Sequence, residues 1–464
     1  MSGETKSKKK YEIDMCNGAI LPKLLAFTLP LMCSSVLQLL FNAADIIVVG
    51  NFAGDTALAA VGSNTALINL LTNFFLGLSI GANVLVARFY GAKAEEDVSD
   101  TVHTAMLLSV FSGIILTVIG CIGARQILIW MQTPEDVLPL ATTYLRIYFM
   151  GMTSMMVYNF GSAILRAVGD TKRPLYYLSA AGVINIGLNL LFVIEFRMSV
   201  AGVALATVIS ETISASLVIR CMMKEKGSIR LTPSKLRIHP KRFAEILRIG
   251  LPASLQGVIF AISNVIIQSS VNSFGSTVVA GNSAASNIEG FVYVSMNSFY
   301  QGTISFTSQN VGAGKYERVN KILFTAQACV IVTGLVLGNL AVFFGPDLLG
   351  FYTRSAAVKA AGMNRLKIIC TVYALCGIMD VMVGSLRGLG YSVMPTIVSL
   401  IGACGLRLLW IFTFFRINEQ FHTPQSLYLT YPVSWIITIC AHVVCFVIVR
   451  RRISRRLKTQ SMAQ

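Results

Sequence analysis

The sequence predicts an all-α integral membrane protein whose twelve transmembrane helices form two homologous six-helix bundles. Its composition, the length of its apolar stretches and an internal repeat support this prediction. Hydrophobic residues make up 55% of the 464 residues and charged residues only 13%, whereas soluble domains average about a quarter charged residues. This balance is expected of a chain that lies in a lipid bilayer.

Twelve apolar stretches approach the roughly 20 residues that a helix needs to cross the bilayer core. Backbone groups in lipid must be satisfied within the segment itself, so these stretches are interpreted as helices. They lie near residues 24–49, 57–87, 102–123, 140–165, 174–195, 200–221, 246–272, 277–308, 321–345, 362–386, 395–416 and 425–449. The second and eighth are long enough for pronounced tilt or for an extension into water.

The two halves of the chain repeat one pattern. Residues 165–169 (LRAVG), followed by Pro174, return 221 residues later as 386–390 (LRGLG), followed by Pro395. The same spacing relates two further pairs of glycines, Gly81 with Gly302 and Gly91 with Gly312. Two copies of one hydrophobic design are typical of alternating-access transporters, in which the substrate is handled between the halves.

The domain boundaries follow from this repeat and from the polar segments. We expect a cytoplasmic N-terminal tail at 1–23, a first bundle at 24–222, a cytoplasmic linker at 223–245, a second bundle at 246–449 and a basic cytoplasmic tail at 450–464. The polar start lacks the pattern of a cleavable signal peptide.

The net charge of +17 reflects membrane orientation rather than nucleic-acid binding. With a cytoplasmic N-terminus, 29 of the 38 lysines and arginines fall on cytoplasmic segments, which is the bias of the positive-inside rule. Those assigned to the opposite side are Arg125, Arg146, Arg197, Arg354, Lys359, Arg365, Lys367 and Arg416. We therefore expect a multi-pass protein of the cell membrane with both termini in the cytoplasm, in contact with membrane lipid and acting as a monomer.

Several kinds of chemistry have no support in the sequence. The ten cysteines form no C-x-x-C pair, and the four histidines do not stand at metal-ligand spacing. The run Gly312–Lys315 lacks the full phosphate-binding loop pattern. We expect no enzyme activity, no cofactor and no bound metal beyond possible Na⁺ at a coupling site. Energy for transport would then come from an ion gradient or from a separate partner.

The first candidate for ion coupling is Asp45, because carboxylates within apolar helices are costly and rarely idle. Asn42 precedes it by three residues on the same helix face and can donate its amide to the carboxylate. Low-dielectric surroundings favour the neutral form of a carboxyl group, so Asp45 can exchange a proton near neutral pH. A structural role, in which Asp45 caps or joins a neighbouring helix, is the alternative.

Further polar residues of the first half lie on the fifth and sixth predicted helices. Asn185 and Asn189 are four residues apart and share one face, and Thr207 follows on the next helix. Their neutral oxygens, with the charge of Asp45, suit a hard cation. Interhelical hydrogen bonding is the competing interpretation for the asparagines.

The second half has different acids. Asp380 stands where the first copy has Asn159, six residues before the repeated leucine, and Glu289 lies within the eighth predicted helix. Either acid can bind a cationic substrate or a proton, or reach an aqueous cavity. These residues and Asn159 are additional candidates for coupling or substrate binding.

Several independent motifs resemble those of the multidrug and toxic compound extrusion (MATE) transporters of bacteria. They are Gln309–Lys315 with Arg318, Asp45 through Gly50 with the segment 57–62, Leu165 through Pro174, and 202–207. The resemblance extends from Leu29 to beyond Trp435. It implies two six-helix lobes around a central cavity and the exchange of Na⁺ or H⁺ for organic, often cationic, compounds.

The resemblance also implies a first-lobe ion site at Asp45, Asn185, Asn189 and Thr207. Relatives commonly have aspartate at the position of Asn189, so this chain keeps one acid in the set. This difference favours proton coupling through Asp45 over Na⁺ coupling.

Our main hypothesis is a secondary antiporter that exports organic, cationic or amphipathic compounds from the cytoplasm in exchange for H⁺ or Na⁺ by alternating access. One alternative is a flippase for a lipid-linked saccharide or another amphiphile, which would require a strongly cationic cavity for pyrophosphate. A membrane-embedded enzyme or a scaffold is a third class, but no nucleophile–base pair or metal cluster in the sequence supports it.

Overall fold

The computed structural model describes residues 11–462, except for the side chains at positions 55, 63, 66 and 460–462. Regular secondary structure in this part of the chain is helical throughout, as the apolar stretches predict. The helices are α1 (Ile20–Phe52), α2 (Asp55–Gly91), α3 (Glu95–Trp130), α4 (Leu138–Met150), α5 (Met152–Ala167), α6 (Lys172–Leu190), α7 (Ser199–Lys224), α8 (Pro240–Asn272), α9 (Ser276–Gly312), α10 (Tyr316–Phe343), α11 (Gly345–Gly350), α12 (Ala356–Ile369), α13 (Ala374–Gly388), α14 (Val393–Ser399), α15 (Leu406–Trp410) and α16 (Pro424–Met462). Turns of π-helix continue α6 at Leu191–Glu195 and connect or follow α14 and α15 at Leu400–Gly405 and Ile411–Phe415.

These helices form the twelve predicted membrane segments. Nine helices in residues 11–462 are long and apolar enough to cross a membrane, and the pair α12–α13, bent by 48°, makes a tenth. The two remaining predicted segments are also helical. Segment 140–165 corresponds to α4 and α5, which meet at Gly151, and segment 277–308 corresponds to α9. The protein is therefore an all-α, twelve-helix membrane protein.

The second and eighth segments are the long ones that the sequence indicates. Helices α2 and α9 each contain 37 residues, and at 1.5 Å per residue each is about 55 Å long. The hydrocarbon core of a bilayer is about 30 Å thick. Both helices are thus long enough to tilt strongly or to extend beyond the lipid.

The internal repeat is also visible in the backbone. Left-handed conformations recur in pairs that are 221 residues apart. The φ angles are 89° at Gly54 and 86° at Gly275, 57° at Lys93 and 71° at Gly314, and 95° at Gly169 and 93° at Gly390. The turn positions that the two halves share in sequence therefore have the same backbone conformation at the ends of corresponding helices.

The chain divides into two compact units. The first unit runs to Ser254 and also includes Ser308–Lys315, while the second contains Leu255–Thr307 and continues from Tyr316. The start of α8 belongs to the first unit because it packs closely on α2. A Cβ atom at Gly250 would lie 2.8 Å from Cα of Leu78.

The short segment Ser308–Lys315 joins the first unit through two glycines that the repeat relates to each other. A Cβ atom at Gly91 would lie 2.9 Å from Cα of Gln309, and one at Gly312 would lie 3.0 Å from Cα of Arg88. Each glycine thus allows the backbone of the other copy's helix to approach. The contact cannot accommodate a side chain at either position without a shift of the backbone.

We expect Gly312→Ala to lower the free energy of unfolding by about 1–3 kcal/mol, because an added methyl group would overlap the backbone at Arg88. The measurement is denaturant unfolding of the purified protein in detergent. Gly62→Ala is the matched control, since no atom of the described residues lies within 4 Å of a Cβ atom at Gly62, and we expect it to be neutral or slightly stabilising. Equal stability of both variants would contradict the close approach.

The described part of the N-terminal tail packs against the first unit. Of the expected tail at 1–23, residues 1–10 lie outside the described residues, as do 463–464 of the C-terminal tail. Met15 is fully buried, its carbonyl accepts from Asn310 Nδ2 at 3.0 Å, and Lys315 Nζ donates to Asn17 Oδ1 at 2.6 Å. The tail and Ser308–Lys315 therefore hold each other in place.

The expected linker at 223–245 is likewise fixed to the first unit. The backbone N–H of Thr232 donates to His103 Nε2 at 3.1 Å, and that of His239 donates to Thr104 Oγ1 at 3.1 Å. Both acceptors lie on α3. The linker thus follows the surface of α3 before α8 begins at Pro240.

Candidate functional site

Four residues that the sequence places on three separate helices come together in the first unit. Asp45 on α1 accepts a hydrogen bond from Asn189 Nδ2 on α6. The same amide nitrogen donates to Asn185 Oδ1 at 3.2 Å, and Asn185 Nδ2 donates to Thr207 Oγ1 on α7 at 3.5 Å. The structure thus gathers Asp45, Asn185, Asn189 and Thr207 into one polar cluster, which we call the Asp45 cluster.

The hydrogen bonds of the Asp45 cluster diverge from the amide of Asn189. Thr207 donates its own hydroxyl to the backbone oxygen of Val203 at 3.0 Å, so it acts as an acceptor for Asn185. Both hydrogens of the Asn189 amide are used, one on Asn185 and one on Asp45. One branch of the network therefore ends on the Asp45 carboxylate, which only accepts, as suits its ionised form, and the other ends on the backbone oxygen of Val203.

One hydrogen-bond acceptor of the Asp45 cluster is not used by any described residue. Asn189 Oδ1 is buried and has no hydrogen-bond partner in the part of the chain that the structure describes. A buried oxygen without a partner is costly. Next to the Asp45 carboxylate, this oxygen can accept a hydrogen bond from a proton carried by Asp45, or serve as a ligand for a small cation.

Two other candidates of the first half lie outside this cluster. Asn42 is exposed, and the amide that reaches Asp45 belongs to Asn189 on another helix. Asn159 on α5 donates to the backbone oxygen of Met155 within its own helix at 2.8 Å. The structure therefore does not bring either residue into the Asp45 cluster.

Glu289 in the second unit forms a buried ion pair. Arg365 on α12 donates from Nε to Glu289 Oε1 at 2.8 Å and from Nη2 to Oε2 at 2.7 Å. Its third contact is Nη1 to Asn282 Oδ1 at 2.7 Å. The fork-shaped guanidinium thus engages both carboxylate oxygens, which is the strongest geometry for such a pair.

Arg365, which the sequence-based assignment places on the side opposite the cytoplasm, is buried in the structure. It lies within α12 with 6% of its surface exposed, and its guanidinium also faces the rings of Tyr428 and Tyr431 at 5.4 and 5.5 Å. The carboxylate of Glu289 and these rings compensate for the removal of the charge from water. An arginine close to the end of an apolar stretch was the one available signal in the sequence.

Asp380 lies apart from this ion pair. It is half-buried on α13, where Tyr293 is its hydrogen-bonding neighbour and Arg387 is the nearby positive charge. Arg387 itself donates to Gln256 Oε1 at 2.8 Å and to Thr396 Oγ1 at 3.2 Å. Asp380 is thus an acid of the second unit that does not share its oxygens in a two-point contact with arginine.

A cavity of about 320 Å³ in the second unit is lined by one of the two acids. Glu289 and Arg365 line it, and so does Tyr293, the neighbour of Asp380. The remaining lining residues are amide, hydroxyl, aromatic and aliphatic side chains, namely Asn264, Ile267, Gln268, Val271, Asn282, Ser286, Tyr373 and Tyr431, with Gly290. This mixture of rings and neutral polar groups suits an amphipathic organic molecule. No pattern in the sequence pointed to the three tyrosines that line it.

Comparison with known proteins agrees with this architecture. A solved structure described as a MATE protein in the bent conformation superposes with a TM-score of 0.86, covering 97% of this chain and 99% of that one at 22% identity. "Probable multidrug resistance protein YoeA" of Bacillus subtilis is 29% identical over 390 residues, which are 82% of this chain and 84% of the relative. "Probable multidrug resistance protein NorM" of Thermotoga maritima is 24% identical over 393 residues, 83% and 84% of the two chains.

The fold is that of a duplicated, multi-pass membrane transporter. The sequence profile of the MatE family matches twice, over residues 30–191 and 252–413, so it covers each half of the repeat once. The chain belongs to the MatE family, the family of MATE multidrug efflux transporters. The resemblance noted in the sequence is thereby confirmed.

Proposed function

We propose that the protein is a proton-coupled antiporter that exports organic, cationic or amphipathic compounds across the cell membrane by alternating access. In this proposal the chain acts as a monomer with both termini in the cytoplasm. The observation that carries the proposal is the Asp45 cluster, in which one carboxylate within an apolar helix accepts a hydrogen bond at the end of a network that spans α1, α6 and α7. The relatives named as multidrug resistance proteins support the class of substrate.

The Asp45 cluster supports a mechanism in which proton binding changes helix packing. An ionised Asp45 attracts the Asn189 amide and so links α1 to α6. A protonated Asp45 has a hydroxyl to donate, and a turn of the Asn189 amide would bring its buried Oδ1, in place of Nδ2, toward that hydroxyl. Protonation would therefore reorder the contact between two helices, and substrate release would follow from that change.

The cavity of the second unit is the proposed place of substrate contact. Its tyrosines offer ring faces to an organic cation or to a planar apolar group. Glu289 is neutralised by Arg365, which leaves Asp380, next to Tyr293, as the acid available to attract a positive charge.

The flippase alternative requires a cavity with excess positive charge for a pyrophosphate group. The charge of Arg365 in the second-unit cavity is matched by Glu289. Arg407 is also buried, but its guanidinium lies over the ring of Tyr431 at 4.1 Å and its Nε donates to Ser434. These observations favour export of an organic molecule over movement of a lipid pyrophosphate.

The test is transport by the purified protein in vesicles on which Na⁺ and pH gradients are imposed separately. We expect a pH gradient alone, in the absence of Na⁺, to drive transport of the organic cation ethidium in the direction opposite to proton flow. Movement driven only by Na⁺ would contradict proton coupling. Movement of a lipid-linked saccharide in the absence of ethidium transport would favour the flippase.

We expect Asn189→Asp to increase the dependence of transport on Na⁺. The substitution adds a second carboxylate beside Asp45, and two carboxylates bind a hard cation more strongly than one carboxylate and an amide. The measurement is the initial rate of ethidium transport as a function of Na⁺ concentration at constant pH. An unchanged response to Na⁺ would contradict the geometry of the Asp45 cluster, and Asn159→Asp, outside the cluster, is the control.

A further inference from the structure

Glu211 is a carboxylate of the first unit that the mechanism above does not use. It follows Thr207 by four residues on α7, so the two side chains lie on one face of the helix, one turn apart. Its Oε2 atom is buried and has no hydrogen-bond partner among residues 11–462. Ser214 lies beside the carboxylate and donates its hydroxyl to the backbone oxygen of Glu211 at 2.9 Å. An acid in this position carries an energetic cost that a purely structural residue would not need.

The surroundings of Glu211 connect it with the Asp45 cluster. A small pocket of about 10 Å³ is lined by Glu211, Thr207 and Tyr148, together with Gly151, Met152, Met155 and Val208. This volume is close to the smallest that holds one water molecule. Tyr148 on α4 lies within electrostatic range of both Glu211 and Asp45. Both carboxylates are therefore within electrostatic range of the same tyrosine.

No arginine or lysine is a direct partner of Glu211 in the described structure. The titratable groups that face it from the helices packed against α7 are Tyr148 on α4 and Tyr158 on α5, and Asp45 on α1 lies beyond Thr207. Among these groups, Tyr158 is the one that has a positive charge within electrostatic range, that of Arg166. Glu211 has no basic partner to compensate its charge. Its protonated form is neutral, and a neutral carboxyl group costs less free energy to bury than a charged one.

Glu211 adds a second acid to the polar region around Asp45. Within the Asp45 cluster, Asn189 contributes an amide rather than a carboxylate. Glu211 supplies a further carboxylate from α7, one helical turn from Thr207. The first unit thus contains two acids within the same polar region.

We propose that Glu211 is a second proton-binding site of the first unit, so that each transport cycle carries two protons, one on Asp45 and one on Glu211. This proposal rests on the proton-coupled antiport proposed above. Each carboxylate binds one proton from the outer side and releases one proton to the cytoplasm, so the pair alternates between two neutral groups and two negative charges. Apart from that exchange no bond is formed or broken.

The test is the steady accumulation of ethidium in vesicles under a fixed pH difference, with the membrane potential clamped at zero. With two protons per cycle, a difference of one pH unit supports a ratio of about 100, and with one proton a ratio of about 10, since each proton contributes a factor of ten per pH unit. We expect Glu211→Gln to lower the accumulation ratio about tenfold while transport continues. Glu135→Gln, an exposed glutamate in the turn before α4, is the matched control and should leave the ratio unchanged.

Two further variants separate proton binding from a structural role. Glu211→Asp keeps a carboxylate and should retain the high ratio, and Glu211→Gln combined with Asn189→Asp should regain it in the absence of Na⁺. An unchanged ratio in Glu211→Gln would overturn the inference and leave Asp45 as the sole proton site. Absence of pH-driven ethidium movement in the unmodified protein would instead contradict the proposed function itself.

Discussion

Replacing Asp45 with asparagine is expected to reduce coupled transport to the level of vesicles without protein. Asparagine has nearly the shape of aspartate, and its side-chain oxygen can still accept from Asn189. It cannot bind and release a proton, so the exchange that drives the cycle is lost while helices α1 and α6 remain linked. The measurement is pH-driven uptake of ethidium by reconstituted protein, compared at equal amounts of inserted protein.

Asp136→Asn makes the same chemical change at an exposed position between α3 and α4 of the same unit. It should transport at the rate of the unmodified protein. Because Asn189 can also donate to the new amide oxygen, we expect denaturant unfolding of Asp45→Asn to differ by no more than about 1 kcal/mol. Full pH-driven uptake by Asp45→Asn would remove Asp45 from the mechanism.

The second large effect is expected on stability, from Arg365→Met. The substitution leaves Glu289 buried in the second unit without the guanidinium that engages both of its oxygens. Breaking a buried ion pair on one side costs about 3–5 kcal/mol, because the remaining charge has no compensation. The free energy of unfolding in detergent should fall by this amount, and the yield of correctly inserted protein should fall with it.

The double variant Glu289→Gln with Arg365→Met separates loss of the pair from loss of packing. With both charges removed, we expect most of the lost stability to return, because neither group is then buried with an unmatched charge. Arg354→Met, at an exposed arginine before α12, should have little effect. A double variant no more stable than Arg365→Met alone would show that the arginine acts by packing rather than by charge.

The fold could be predicted because its signals are local and occur twice. The length of each apolar stretch depends only on neighbouring residues, and the glycines that end helices recur at one spacing with the same backbone angles. What the sequence missed are the breaks inside the segments, such as the one at Gly151 and the bend between α12 and α13. Those depend on packing against other helices rather than on the apolar stretch itself.

The Asp45 cluster was predicted in part from the chain itself and in part from the family resemblance. Spacing alone pointed to Asn42 as the partner of Asp45, because residues three apart share a helix face. The partner is Asn189, which is 144 residues away. The ion pair of Arg365 was missed for the same reason, because its partner Glu289 is 76 residues away in the sequence. Contacts between helices decide both cases, and a single sequence does not contain them.

The membership of Ser308–Lys315 in the first unit has a consequence for how the protein is made. The first unit lacks part of its packing until residue 315 has been synthesised, about two thirds of the way along the chain. Gly91 and the segment around Met15 must wait until then for the groups that cover them. The amino-terminal half therefore cannot complete its folding on the ribosome before residue 315 has been made, and a cell that produced this half as a separate fragment would hold an unfinished protein.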